Sequence, residues 1–296
     1  MKAAAAVAPP SLRPRSSLGL SPAPATRTGA RPSPAAFVPS PRRRGANAVS
    51  CEPSPRMEAR PRLRARAAAV EGGGGDAGGG RRKRLAVFVS GGGSNFRSIH
   101  EAAMGGAVHG DVVALVTDKP GCGGAEHARS NGIPVVVFPK SKSAPQGISV
   151  SELLETLRGY EVDFVLLAGY LKLIPAELVR EYPRSILNIH PSLLPAFGGK
   201  GYYGLKVHNA VIASGARYSG PTIHFVDEHY DTGKTLAQRV VPVLANDTPE
   251  SLAARVLHEE HQVYVEAVAA LCDDRIVWRE DGVPLIKSRT NPDEYI

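Results

Sequence analysis

Cysteine is scarce in this 296-residue chain: Cys51, Cys122 and Cys272 are the full set. Three widely spaced thiols cannot build a disulfide framework or a Cys-rich zinc site, which suits a reducing compartment. Long apolar runs are missing too. None reaches the roughly 18 residues that a membrane-spanning helix needs, so no membrane partner is expected. Acidic residues are absent from Met1 to Cys51, where arginines recur at 13, 15, 27, 31 and 42–44. The formal charge of +8 hides that asymmetry. Residues 1–84 carry 17 Lys and Arg against 4 Asp and Glu, whereas residues 85–296 carry 19 against 24. The basicity therefore belongs to the first segment, and the remainder is mildly acidic. A basic surface for a polyanionic partner is not what the composition describes.

The first 84 residues are rich in Ala, Pro, Ser and Arg and poor in large apolar side chains. Such a segment has too little apolar area to offset its chain entropy. Basic, Ser-rich and acid-free is the composition of an organelle transit peptide, and the frequent prolines favour a plastid over a mitochondrion. Residues 1–84 are expected to be a plastid transit peptide followed by a Gly/Arg-rich linker, with the mature protein in the stroma. The run Arg81–Arg84 reads as a solvated charge cluster at the edge of that leader, rather than a nucleic-acid patch. Residues 85–296 are long enough for one well-buried domain.

Within it, short apolar runs alternate with helical patterns. Strands are expected at Leu85–Val89, Val112–Thr117, Pro134–Phe138, Phe164–Ala168 and Ile186–Ile189. Between them come helices carrying Phe96, Ile99 and Ala103, then Ala125–Ser130, then a segment starting at Ser151. Continuous apolar strands alternating with helices imply an α/β, Rossmann-like, mostly parallel sheet covered on both faces. Ligands in such sheets sit beyond the carboxyl ends of the strands. Thr222–Val226 and Thr235–Val243 read as two later strands, one of them antiparallel. Thr248-Pro249-Glu250 opens a long helix, with Thr as the cap and Pro at its first position.

Four stretches carry chemistry. Ser90-Gly-Gly-Gly-Ser94-Asn95 follows the first strand; glycines there expose successive N–H groups at a helix start, a ready anion cradle. It lacks the Lys-Ser/Thr of a nucleoside-triphosphate loop. Asn188 and His190 end the fifth strand two residues apart and so project to one side. An amide donor beside an imidazole suits a developing oxyanion and a moving proton. The stretch His224-Phe-Val-x4-Asp231 places a carboxylate where it could orient an imidazole. A zinc reading through His190, His224, His229 and Asp231 matches no usual ligand spacing, so no metal is expected. On the long helix, His258-Glu-Glu260-His261 lacks zincin spacing and reads as a polar face.

Together with Leu167-Ala-Gly-Tyr170, these motifs follow one another across nearly all of the folded part. From about Arg84 to Trp278 the chain resembles the phosphoribosylglycinamide formyltransferases, and the leader resembles that of plastid-directed plant members. The resemblance implies that 10-formyltetrahydrofolate is the co-substrate and a ribonucleotide amine the acceptor. It implies that Asn188 donates to the formyl oxygen, that His190 is the general acid, and that Asp231 holds it and raises its pKa. It assigns Gly93, Ser94 and Asn95 to the phosphate and Glu260 to the ribose or glycinamide end. It assigns Leu171, Lys172, Leu173, Ile174, Asn188 and Asp227 to the folate pocket, with Lys142 toward the folate tail. Thr232 departs from the Gly or Ala of many relatives, and Phe197–Tyr203 receives no role. Partners are then small molecules, without nucleic acid, acting as monomer or homodimer.

Two related activities compete. A formyltetrahydrofolate hydrolase would share the catalytic trio but carries a regulatory domain in front, and usually a second His where Pro191 stands. A methionyl-tRNA formyltransferase adds a C-terminal domain, whereas only 18 residues follow Trp278 here.

Overall fold

The computed structural model describes residues 81–295 except 143 and 292, so the expected leader before Arg81 lies outside the described residues. The first strand, β1 (Lys83–Phe88), begins inside the run assigned to the linker. That run is tied to the fold by ion pairs, although Arg81 and Arg82 stay exposed. Arg81 pairs with Asp163 at 2.7 Å, Arg82 with Asp111 at 2.9 Å and Lys83 with Asp274 at 3.0 Å.

The chain continues through α1 (Ser94–Met104), β2 (Gly110–Thr117), α2 (Gly123–Ser130), β3 (Val135–Val137), α3 (Val150–Gly159), β4 (Phe164–Leu167), α4 (Ala176–Glu181) and β5 (Ile186–His190). Then come α5 (Leu205–Ser214), β6 (Tyr218–Ser219), β7 (Thr222–Phe225), β8 (Thr235–Gln238), β9 (Val241–Pro242), α6 (Pro249–Cys272), β10 (Ile276–Trp278) and β11 (Pro284–Ile286). The main sheet has seven strands in the order β3-β2-β1-β4-β5-β7-β8. Its first five are parallel, while β7 and β8 are antiparallel to their neighbours. The α/β, mostly parallel architecture is as expected. The segment Thr235–Val243, expected as one strand, is two: β8 closes the main sheet, and β9 leaves it to pair with β6. Two short helices, α4 and α5, were not legible in the periodicity.

Local signals explain several boundaries. Helix α3 starts one residue earlier than expected because Ser149 and Glu152 form a reciprocal capping box. Thr248 and Ser251 do the same for α6, with Pro249 at its first position. One face of the sheet is covered by α1 and α6 through Phe96, Ile99, Val263, Tyr264 and Val268. The other is covered by α3 and α4 through Leu153, Leu157 and Leu178. Tyr264 is fully buried, and its hydroxyl is shared between the carbonyls of Leu167 (3.1 Å) and Leu187 (3.2 Å), at the ends of β4 and β5. Among the described residues no helix is long and apolar enough to cross a membrane.

Candidate active site

Strand order reverses at β1, whose neighbours are β2 and β4. The loops leaving the carboxyl ends of β1 and β4 are tied together there. Ser90 N–H donates to the Gly169 carbonyl at 3.1 Å, and Leu171 N–H to Ser90 Oγ at 3.0 Å. A cavity of about 690 Å³ opens beside them, a volume suited to a small organic ligand.

One end of the cavity is polar. Asn95 and Glu260 are both buried, and Asn95 Nδ2 donates to Glu260 Oε2 at 2.7 Å. Burial raises the Glu260 pKa, and the Asn95 bond only partly offsets it. Asn95 Oδ1 has no hydrogen-bond partner, which leaves an unmet acceptor at the cavity wall. Just before Asn95, Gly93 has φ +74° and caps α1. A Cβ on Gly93 would lie 2.8 Å from Gly124 Cα, so the backbones that start α1 and α2 touch. Two helix N-termini thus border one glycine loop, and Gly91 and Gly92 stay exposed. That arrangement favours an anion. The contribution of Gly123-Gly124 was not anticipated from the sequence. Gly93 and Ser94 flank the cavity without lining it.

Much of the remaining lining is apolar. Leu171, Leu173, Ile174, Val226 and Tyr230 form it, together with Lys172 and Asp227. The Phe197–Tyr203 stretch, left without a role by the sequence, contributes Gly199–Tyr203 to the wall. Lys142 does not line the cavity. His229 and Tyr230 are exposed at the rim.

The same cavity is lined by Asn188, His190 and Asp231. Asn188 and His190 share a side of β5, as their spacing implies. Asp231 has φ +56° and is pinned by Gly199, whose N–H donates to Asp231 Oδ2 at 2.9 Å. His190 Nδ1 lies 3.4 Å from Asp231 Oδ2, and His190 Nε2 donates to the Phe197 carbonyl at 2.9 Å. Burial penalises the Asp231 carboxylate, but His224, His190 and the Gly199 N–H outweigh it and hold its pKa below the ordinary value. The His190 imidazole departs from expectation. Asp231 does push its pKa up, but burial is the larger influence and the net direction is down. With an environment only 4% exposed, charging the ring costs more than one partly aligned carboxylate returns. The free protein therefore holds a neutral His190 at neutral pH.

Sequence reasoning misses His208, and names His224 only in a motif and in a rejected zinc set. His224 and His208 line the cavity and are both buried. His208 Nδ1 has no partner, and burial together with His190 lowers its pKa. Neither could be found from spacing, because α5 and the β5–β7 register bring them in. Among the described residues no group of three His, Cys, Asp or Glu side chains is arranged to hold a metal ion.

The fold and site together define a Rossmann-like group-transfer enzyme, with an amide, an imidazole and a carboxylate gathered on the wall of one cavity. Residues 83–268 match the family described as formyl transferase, and the chain belongs to that family. It is 76% identical over 212 residues to the chloroplastic phosphoribosylglycinamide formyltransferase of Vigna unguiculata, covering 72% of this chain and 68% of that protein. The Arabidopsis thaliana protein of the same name is 72% identical over 212 residues, covering 71% of this chain and 73% of that one. Glycinamide ribonucleotide transformylase 1 of Symbiobacterium toebii has a similar crystal structure, with TM-score 0.63, 34% identity, and coverage of 73% of this chain and 99% of that one. A formyltetrahydrofolate deformylase of Pseudomonas syringae pv. tomato str. DC3000 shares the fold at 23% identity and TM-score 0.61, covering 69% of this chain and 66% of that one.

Proposed function

We propose that this chain transfers the formyl group of 10-formyltetrahydrofolate to the glycine amine of N1-(5-phospho-D-ribosyl)glycinamide, in purine nucleotide synthesis. The observation that carries this reading is one cavity lined by Asn188, His190 and Asp231 together with the buried Asn95–Glu260 pair and the apolar Leu171, Leu173 and Ile174. The relatives' names agree with it. The residues present fit both substrates. Gly93, Ser94, Asn95 and the start of α2 would hold the phosphate, and Glu260 with the free Asn95 Oδ1 would hold the ribose or glycinamide. Leu171, Leu173 and Ile174 would pack against the pterin, with Lys172 and Asp227 at its polar edge and Lys142 toward the tail.

The folate supplies the formyl carbon. Asn188 donates to the formyl oxygen as negative charge develops there; a preorganised donor of this kind is worth about 100- to 1000-fold in rate. The glycine amine nitrogen bonds to the formyl carbon, and His190, which starts neutral, takes up the proton that nitrogen must lose. A proton on Nδ1 comes to lie against Asp231 Oδ2, which stabilises the imidazolium. His190 then delivers the proton to the departing nitrogen, so the carrier returns to its starting state.

The segment before Arg81 acts as a plastid transit peptide and linker, and the enzyme works in the stroma on small molecules, without nucleic acid, as a monomer or homodimer. The leader's composition supports this, as do relatives named chloroplastic. A fusion of residues 1–84 to a fluorescent reporter is expected in plastids; a cytosolic signal refutes it. For the activity, the purified chain is expected to consume 10-formyltetrahydrofolate only when the ribonucleotide amine is present. Consumption without the amine identifies a hydrolase instead. Asn188→Ala is expected to cut kcat by about 100- to 1000-fold with the fold intact.

A further inference from the structure

We propose that His224 is a positioning residue for the reaction: its imidazole, through Nε2, sets the orientation of the Asn188 amide. The proposal rests on the formyl-transfer reading above and assigns one further side chain to it.

His224 lies on β7, and the antiparallel register places it directly opposite Asn188 on β5. Opposed residues in such a pair bring their side chains within reach of each other. The register of β7 with β8 shifts between Ile223 and His224. Irregularities of this kind re-aim side chains beside active sites. His224 is 2% exposed, so both ring nitrogens must find partners within the protein.

Those partners fix the tautomer. His224 Nδ1 lies 3.0 Å from the Phe225 carbonyl oxygen, which can only accept, so the ring proton is on Nδ1. Nε2 then carries a lone pair, and it faces Asn188 Nδ2 at 3.0 Å. A lone pair there attracts the amide NH2 and repels the amide oxygen. His224 therefore decides which end of Asn188 points into the site. The second Asn188 hydrogen is held more loosely, by Asp231 Oδ1 at 3.5 Å. His224 Nε2 and that same oxygen are 3.6 Å apart, with no hydrogen between them in this tautomer. The amide is thus anchored on one side and weakly held on the other. The weakly held hydrogen is the one available to an oxygen that gains negative charge. Without the anchor, the amide can rotate and present its oxygen to that charge.

The first readout needs no substitution. Nitrogen-15 spectra of the imidazoles in the full chain are expected to show His224 protonated on Nδ1 and bare on Nε2; protonation on Nε2 overturns the proposal. The second readout is kinetic. His224→Leu cannot accept a hydrogen bond and is expected to lower kcat by about 10- to 100-fold, the scale of a misplaced catalytic group. KM for both substrates is expected to stay within about twofold. His224→Gln retains an acceptor and is expected to recover most of the loss. Combining His224→Leu with Asn188→Ala is expected to be no slower than Asn188→Ala alone, because both act through one amide. Multiplying losses, or wild-type kcat in His224→Leu, refute the idea. Where His224→Leu does not fold, His224→Phe, which also lacks a hydrogen-bond acceptor, replaces it in the cycle, and the tautomer measurement stands by itself. A wild-type protein without amine-dependent transfer would defeat the proposed function while leaving the tautomer result readable.

Discussion

Replacing Asp231 by Asn removes a charge while keeping an acceptor, so it isolates the electrostatic part of the site. Asp231 Oδ2 is 3.4 Å from His190 Nδ1, and the two side chains are only 10% and 5% exposed. An opposite charge at such a distance moves a pKa by about 1–3 units. Each unit corresponds to about 1.4 kcal/mol. Losing the carboxylate therefore costs the His190 imidazolium about 1.4–4 kcal/mol. If that ion forms on the way to the transition state, turnover falls about 10- to 1000-fold. The sign is fixed by the surroundings. Burial already holds His190 below its ordinary 6.5, and Asp231 is the largest influence pushing upward. Its removal must lower the value further. Proton NMR titration of His190 is expected to give a midpoint below 6.5 in the wild type and a lower one in Asp231→Asn. Steady-state kcat at saturating concentrations of both substrates gives the rate. The Asn side chain can still accept from Gly199 N–H, so the loop should keep its place and the thermal midpoint should move little. An unchanged or raised His190 midpoint, or full turnover in the variant, refutes the reasoning.

Glu260→Gln is expected to raise thermal stability and weaken ribonucleotide binding. Burial raises the Glu260 pKa, so the folded protein binds that proton more tightly than the unfolded chain does. Stability is then lost as pH rises above the ordinary carboxylate value of 4.5. Melting curves should show a gain from Gln that grows as the pH is raised from 4.5; a pH-independent difference contradicts this. Tyr264→Phe removes a hydroxyl shared by two buried carbonyls and is expected to cost about 1–3 kcal/mol in urea unfolding. A change under about 0.5 kcal/mol would mean those carbonyls find other partners. Gly233→Ala would put a Cβ against the Phe225 carbonyl oxygen, backbone against backbone, in the β7–β8 connection. It is expected to destabilise by about 3 kcal/mol or more, since overpacking against main chain cannot be relieved by a rotamer change. Recovery of folded protein with a normal melting point would show that the turn relaxes.

The amino-acid sequence by itself determined the sheet's parallel half, because buried strands must be continuously apolar and each was bounded by turn residues. It determined the start of α6, because Thr248 and Pro249 act through bonds within four residues. It also placed Asn188 and His190 on one side, since strand side chains alternate with a period of two. In each case the cause is local. What only the tertiary structure decided has causes distant in the chain. Val241 leaves the main sheet because β6 is there to receive it, and nothing between Thr235 and Val243 encodes that partner. Arg81–Arg84 looked solvated in isolation, yet acids at 111, 163 and 274 hold three of the four. Lys142 is set apart from the cavity wall, a separation its position in the chain does not encode. Most of all, the direction of the His190 shift could not be read from a nearby carboxylate. It depends on burial depth, which is set by how β5, α5 and the Asp231 loop close around the ring. The same is true of His224, whose role rests on facing Asn188 across a strand pairing 36 residues apart in the chain. Residue types and short-range periodicity specified the reacting groups; register and desolvation, which arise only when distant segments pack, set their protonation and aim.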